Sequence, residues 1–200
     1  ENTHNGLALP LDYFPRVAEF GADHGLSLHL DGARIFNAAV KCAVDVTEIA
    51  QHFDTVSVCL SKGLGAPVGS LLCGDEPTIA RARRWRKMVG GGMRQAGIIA
   101  AAGIFALENH VERLQTDHDH AHLLAQGLGM IEGYTVEYPE AQTNMVFVSP
   151  PADKAPGLQS YLADHRVKIL GGSRIRLVTH LDINREDVER VIALIKSYGS

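Results

Sequence analysis

Three cysteines in 200 residues, Cys42, Cys59 and Cys73, are too few and too odd in number to staple a secreted domain, and their spacing matches no metal-ligand pattern. They read as buried, reduced thiols of a cytoplasmic protein. No apolar run approaches the roughly eighteen residues that a membrane-spanning helix needs, and no signal-peptide pattern opens the chain. A large excess of charge of one sign is lacking too. Nineteen Lys and Arg against 23 Asp and Glu leave a net charge of −4, which argues against a general nucleic-acid or membrane-surface role. Internal repeats and low-complexity tracts are missing as well. What remains is a globular composition, 46% hydrophobic, able to bury a sizeable core. The opening residues Glu1-Asn2-Thr3-His4-Asn5 read like the interior of a longer protein, entered just after a strand.

Helical and strand patterns then alternate. Residues 10–25 read as a helix with Pro15 in its first turn and Gly25 as its stop. Residues 26–30 alternate like a strand and end at Asp31-Gly32-Ala33-Arg34. A short apolar helix over 35–43 and a second, capped by Asp45 or Thr47 and running to about Phe53, precede a β-branched strand over 55–60. Residues 70–73 form another strand. This order predicts a parallel α/β sheet. Residues 77–88 form a basic helix with a solvated face, broken by the glycines at 90–92, and an Ala-rich helix from Met93 is expected to reach about Gly127.

From Glu132 the segments shorten. Strands are expected at 135–138, 144–148, 167–170 and 175–178, with helices at 158–165 and 185–198, the pattern of a small α+β domain. The expected division is therefore 1–107 as the C-terminal portion of a large domain, 108–130 as a long connecting helix and 131–200 as a small C-terminal domain. His118 and His122 have the i, i+4 spacing of helix-borne metal ligands. A polar helix face beside Glu112 and Arg113 is the simpler account, and no metal is expected.

The stretch Ser-Lys-Gly-Leu-Gly-Ala-Pro-Val-Gly-Ser, residues 61–70, places Lys62 where the apolar strand ends and a glycine-rich turn begins. An amine there can condense with a carbonyl compound. Asp31 ends the preceding strand, and in open α/β sheets the C-terminal strand ends form the ligand crevice. An amine and a carboxylate so placed describe a pyridoxal 5'-phosphate site: Lys62 holds the cofactor as a Schiff base, and Asp31 keeps the pyridine nitrogen protonated. An arginine would grip a substrate carboxylate by paired hydrogen bonds. Arg34 and Arg176 are both candidates, and spacing does not choose between them.

The sequence resembles the low-specificity L-threonine aldolases, of the aspartate-aminotransferase-like fold type I group. The resemblance is carried by ENTHN at 1–5, LHLDGARIFNAAV at 28–40, CLSKGLGAPVGSLL at 59–72, RWRKMVGGGMRQAGIIAAAGIFAL at 84–107 and RLVTHLDI at 176–183. It implies Lys62 as the Schiff-base lysine, Asp31 as the pyridinium partner, and Arg34 and Arg176 as substrate-carboxylate arginines. Lys87 and Arg94 match basic residues near the cofactor phosphate, Arg94 across a dimer interface. Arg34 could instead order the DGAR turn by a salt bridge, the glycines at 90–92 could be a hinge, and His4 could be structural rather than near the pocket. The implied reaction is retro-aldol cleavage of L-threonine or L-allo-threonine to glycine and acetaldehyde, in a homodimer or homotetramer. The family's N-terminal part, with a phosphate-cradling turn and a ring that stacks on the cofactor, has no counterpart in these residues. The alternatives are a related lyase acting on aromatic β-hydroxy amino acids, a β-eliminating enzyme, and a non-catalytic fragment that needs that missing part.

Overall fold

The computed structural model describes residues 4–138, 140 and 143–199. The opening motif is therefore described only from His4, and residues 1–3 lie outside the described part. The chain divides into two compact units, one spanning Leu9–Leu114 and the other joining Asn2–Ala8 to Gln115–Ser200.

In the first unit, helix α1 (Tyr13–Asp23) leads to strand β1 (His29–Asp31), then to helices α2 (Ile35–Cys42) and α3 (Val46–Ala50) and strand β2 (Thr55–Cys59). Asp45 caps α3 as expected, its carboxylate accepting from the Thr47 amide at 2.8 Å. The two helices between β1 and β2 form the crossover that a parallel pair requires, and Asp31 aligns with Ser57. Val56 and Val58 turn one face of β2 into the core with Ile35, Ala39 and Ile49. Alternation leaves Thr55, Ser57 and Cys59 on the other face, beside Asp31.

Strand β3 (Ser70–Gly74) departs from the all-parallel expectation. It pairs antiparallel with β2, Cys59 facing Ser70. Residues 60–69 contain no helix, so the chain cannot return to start a parallel strand and folds straight back. Every residue of β3 is exposed, Cys73 included, and Cys42 and Cys59 are half-buried, so the three free cysteines are not the buried thiols expected from their apolar neighbours. Helix α4 (Glu76–Met88) buries none of its residues, in keeping with a solvated basic face.

The Ala-rich helix is two helices, α5 (Gly97–Asn109) and α6 (Leu114–Gly129), where one was expected. The Asn109 side chain donates to the Phe105 carbonyl at 2.9 Å, and the His110 amide makes the last bond of α5, to the Ala106 carbonyl at 2.9 Å. His110 turns away to pair with the Leu64 carbonyl at 2.6 Å. Helix α6 does more than connect: Ala121, Leu124, Ala125 and Leu128 lie in the core of the second unit.

That unit holds an antiparallel sheet ordered β4 (Thr135–Glu137), β5 (Met145–Ser149), β6 (Ile175–Val178), with α6, α7 (Ala155–Asp164) and α8 (Arg185–Gly199) supplying its core. Val146, Val148, Ile175 and Leu177 face those helices. The opposite face carries Glu137, Met145, Phe147 and Arg176, and Gly6 packs against Met145 there. Thr143 donates to the Gly6 carbonyl at 2.6 Å. Gly6 has φ +69°, and a Cβ there would stand 2.9 Å from that of Met145, so no larger residue fits. Residues 167–170 are not a strand. Arg166 at φ +63° ends α7, the Val167 amide returns to the Leu162 carbonyl, and Val167 and Ile169 pack on the core without a ladder partner among the described residues. Leu162 is fully buried. Leu162→Ala should cost about 2–5 kcal/mol, read as a lower urea midpoint in equilibrium unfolding.

Candidate active site at the sheet edge

Parallel pairing brings the ends of β1 and β2 to one edge of the first sheet. Asp31 closes β1, and Lys62 follows β2 by three residues. The Asp31 carboxylate is held by its own turn: one oxygen accepts from the Ala33 amide at 3.1 Å, while the Ile35 amide returns to the Gly32 carbonyl. Gly32 permits the close packing of that turn on β2, since a Cβ would meet the Ser57 carbonyl oxygen at 2.7 Å. The second Asp31 oxygen has no protein partner among the described residues.

The loop bearing Lys62 is compact although it contains no helix or strand. Leu60 anchors both ends, its amide donating to the Gly69 carbonyl at 2.9 Å and its carbonyl accepting from Ala66 at 3.0 Å. The Lys62 carbonyl accepts from Gly65, which sits at φ +72°. Buried Leu64 and Ala66 point inward, and the His110 bond at Leu64 fixes the loop from α5. The backbone is thus pinned while the Lys62 side chain stays exposed and forms no hydrogen bond or ion pair with a described residue. Cys59 lies beside it, its sulfur 3.5 Å from the Ser61 hydroxyl. Burial pushes the Cys59 thiol up, but hydrogen bonds from Ser61 and Ser70 and the Lys62 charge outweigh it and leave the thiol below its ordinary range.

The other expected residues are distributed as follows. Arg34 is the half-buried N-cap residue of α2, directly after the Asp31 turn. Lys87 lies in the last turn of α4 and folds over Gly92, where a Cβ would meet its Cδ at 2.6 Å. Arg94 follows in an exposed loop. Neither Lys87 nor Arg94 lines the small cavity that Asp31 borders with Leu30, Gly32 and Ile35. Arg176 is exposed on β6 and has no hydrogen bond or ion pair with a described residue. It borders a cavity of about 460 Å³, with Val167, Ile169, Thr179 and Val191 among the walls. His118 and Asp117 are buried on α6 rather than solvated, and no cluster of three metal-ligating side chains occurs among the described residues. His110 and the pairing of Arg174 with Glu137 had no sequence signal, because their partners lie 46 and 37 residues away.

Residues 1–150 match the beta-eliminating lyases. The chain belongs to that family. A low specificity L-threonine aldolase of Escherichia coli K12 is 50% identical over 193 residues, covering 96% of this chain and 57% of the relative. Low-specificity L-threonine aldolase 1 of Arabidopsis thaliana is 41% identical over 201 residues, covering 96% of this chain and 56% of the relative. This chain therefore spans somewhat more than half the length of the curated relatives it matches. The structure of a Leishmania major threonine aldolase superposes with a TM-score of 0.78 at 19% identity, covering 99% of this chain and 59% of the other. The fold is the α/β, aspartate-aminotransferase-like fold type I. No helix among the described residues is long and apolar enough to cross a membrane.

Proposed function

We propose that the natural protein is a pyridoxal-phosphate-dependent lyase that cleaves L-threonine or L-allo-threonine to glycine and acetaldehyde. One observation carries the reading: an unengaged amine, Lys62, and a turn-held carboxylate, Asp31, stand at the C-terminal ends of adjacent parallel strands. That pair fits the cofactor's demands, a primary amine for its aldehyde and an anion for its ring nitrogen. The names of the relatives support the substrate.

Lys62 Nζ would hold the cofactor covalently through its aldehyde. Asp31 would accept a hydrogen bond from the ring nitrogen and balance its positive charge. Arg34 and Arg176 bind the substrate carboxylate, orienting the amino acid, and Lys87 and Arg94 bind the phosphate. When bound, the cofactor supplies an electron sink for the pair released from the Cα–Cβ bond. The β-hydroxyl proton leaves to a base, acetaldehyde departs, and a proton returns to Cα to give glycine. The protein works in the cytoplasm as a homodimer or homotetramer, which light scattering of the purified protein would test.

The family to which the chain belongs favours a second reading, β-elimination on the same scaffold. Product analysis separates the two. The natural-length protein, supplied with pyridoxal phosphate, is incubated with L-threonine, L-allo-threonine, phenylserine and tryptophan, and glycine and pyruvate are assayed. Equal amounts of glycine and acetaldehyde from threonine are expected. Pyruvate or another keto acid without glycine would replace the aldolase reading with β-elimination.

A further inference from the structure

We infer that Arg174 is a positioning residue for Arg176: by holding the Glu137 carboxylate, it keeps that carboxylate from occupying the guanidinium that binds substrate. The inference rests on the reading of Arg176 given above and deepens it.

Strand register places the three groups in one row. Glu137 aligns with Phe147, and Phe147 with Arg176, so all three side chains lie on the same face of the second sheet. Two strand spacings separate Glu137 from Arg176, about 10 Å between backbones. A glutamate and an arginine can close that gap over the intervening ring. The pair that forms is a different one. Arg174 Nε donates to one Glu137 oxygen at 2.6 Å and Nη2 to the other at 2.8 Å. The guanidinium lies 4.1 Å from the centroid of the Phe147 ring, itself 2% exposed and therefore a fixed platform. Nη2 also donates to the His4 carbonyl at 2.7 Å, tying the start of the described chain to the same place.

This arrangement uses both carboxylate oxygens in a two-point geometry that a single arginine satisfies. It leaves Arg176, two residues along β6, as a permanent charge with no protein counter-ion among the described residues. Such a group, exposed on the sheet face opposite the helices, suits an incoming carboxylate. Without Arg174, the Glu137 carboxylate is free to swing across Phe147 and compete with the substrate.

The test uses the natural-length holoenzyme and L-threonine, with KM and kcat measured for Arg176→Ala, Arg174→Ala and the double variant Arg174→Ala/Glu137→Ala. Arg174→Ala is expected to raise KM about fivefold, the scale of an exposed ion pair, with kcat within twofold. The double variant is expected to return KM to within twofold of the parent, because the competing carboxylate is gone. A purely structural clamp would make the double variant no better than the single one. That result, or an unchanged KM in Arg174→Ala, overturns the inference. An unchanged KM in Arg176→Ala overturns instead the reading of Arg176 as the carboxylate site. If thermal melting shows either alanine variant unfolded, Arg174→Gln and Arg174→Gln/Glu137→Gln replace them with the same expected order.

Discussion

Lys62→Ala should abolish covalent attachment of pyridoxal phosphate and lower threonine cleavage at least about a thousandfold, the scale seen when a covalent catalyst is removed. The fold should survive. The Lys62 side chain is exposed and bonded to no described residue, whereas the loop around it is held by the backbone of Leu60 and by the His110 ring on the Leu64 carbonyl. Melting temperature is therefore expected within a degree or two of the parent. Borohydride reduction of the holoenzyme followed by peptide mapping reads attachment directly: the cofactor's mass should appear on the Lys62 peptide and vanish in the variant. Lys87 is the informative competitor, being another exposed lysine in the same unit. If the mass sits on Lys87, or if Lys62→Ala keeps both the added mass and its activity, the assignment of Lys62 is wrong.

The ease with which Lys62 and Asp31 could be found from sequence has a local cause. Each sits at the junction of an apolar strand and a glycine-bearing turn, and both signals are contained in about ten residues. The same holds for the Asp45 cap, an acid placed two residues before the amide it bonds. Features set by distant contacts were not legible. The direction of β3 depends on the absence of a helix in residues 60–69, and the glycine and proline content there marks a turn without saying which way the chain leaves it. The interruption between α5 and α6 looks like uninterrupted helix in composition, and it is fixed by His110 reaching back to Leu64. Residues 167–170 alternate as a strand should, yet their apolar side chains pack on the core with no neighbouring strand to complete a ladder. Cys73 has apolar neighbours in sequence, but it stands on a strand whose residues are all exposed. The pairing of Arg174 with Glu137 needs the register of three strands before it can be seen at all.

Asp31→Asn is the sharper probe of the site, because it removes charge and little else. The asparagine side-chain oxygen can still accept from the Ala33 amide, so the turn that leads into α2 keeps its bond. The amide cannot balance a protonated ring nitrogen, so the electron sink weakens while the lysine attachment remains. Loss of one charge that is aligned with the reaction typically costs about a hundredfold or more in rate. The expected phenotype thus differs from the lysine variant in attachment: cofactor mass is still recovered on the Lys62 peptide, with the melting temperature unchanged and kcat lower by roughly two orders of magnitude. Asp31→Glu should fall between the two, since it retains the charge but must displace the turn, with Gly32 already pressed against the Ser57 carbonyl. Should Asp31→Asn retain full kcat, the carboxylate would be left with a structural role in the turn, and the ring partner would have to come from another residue.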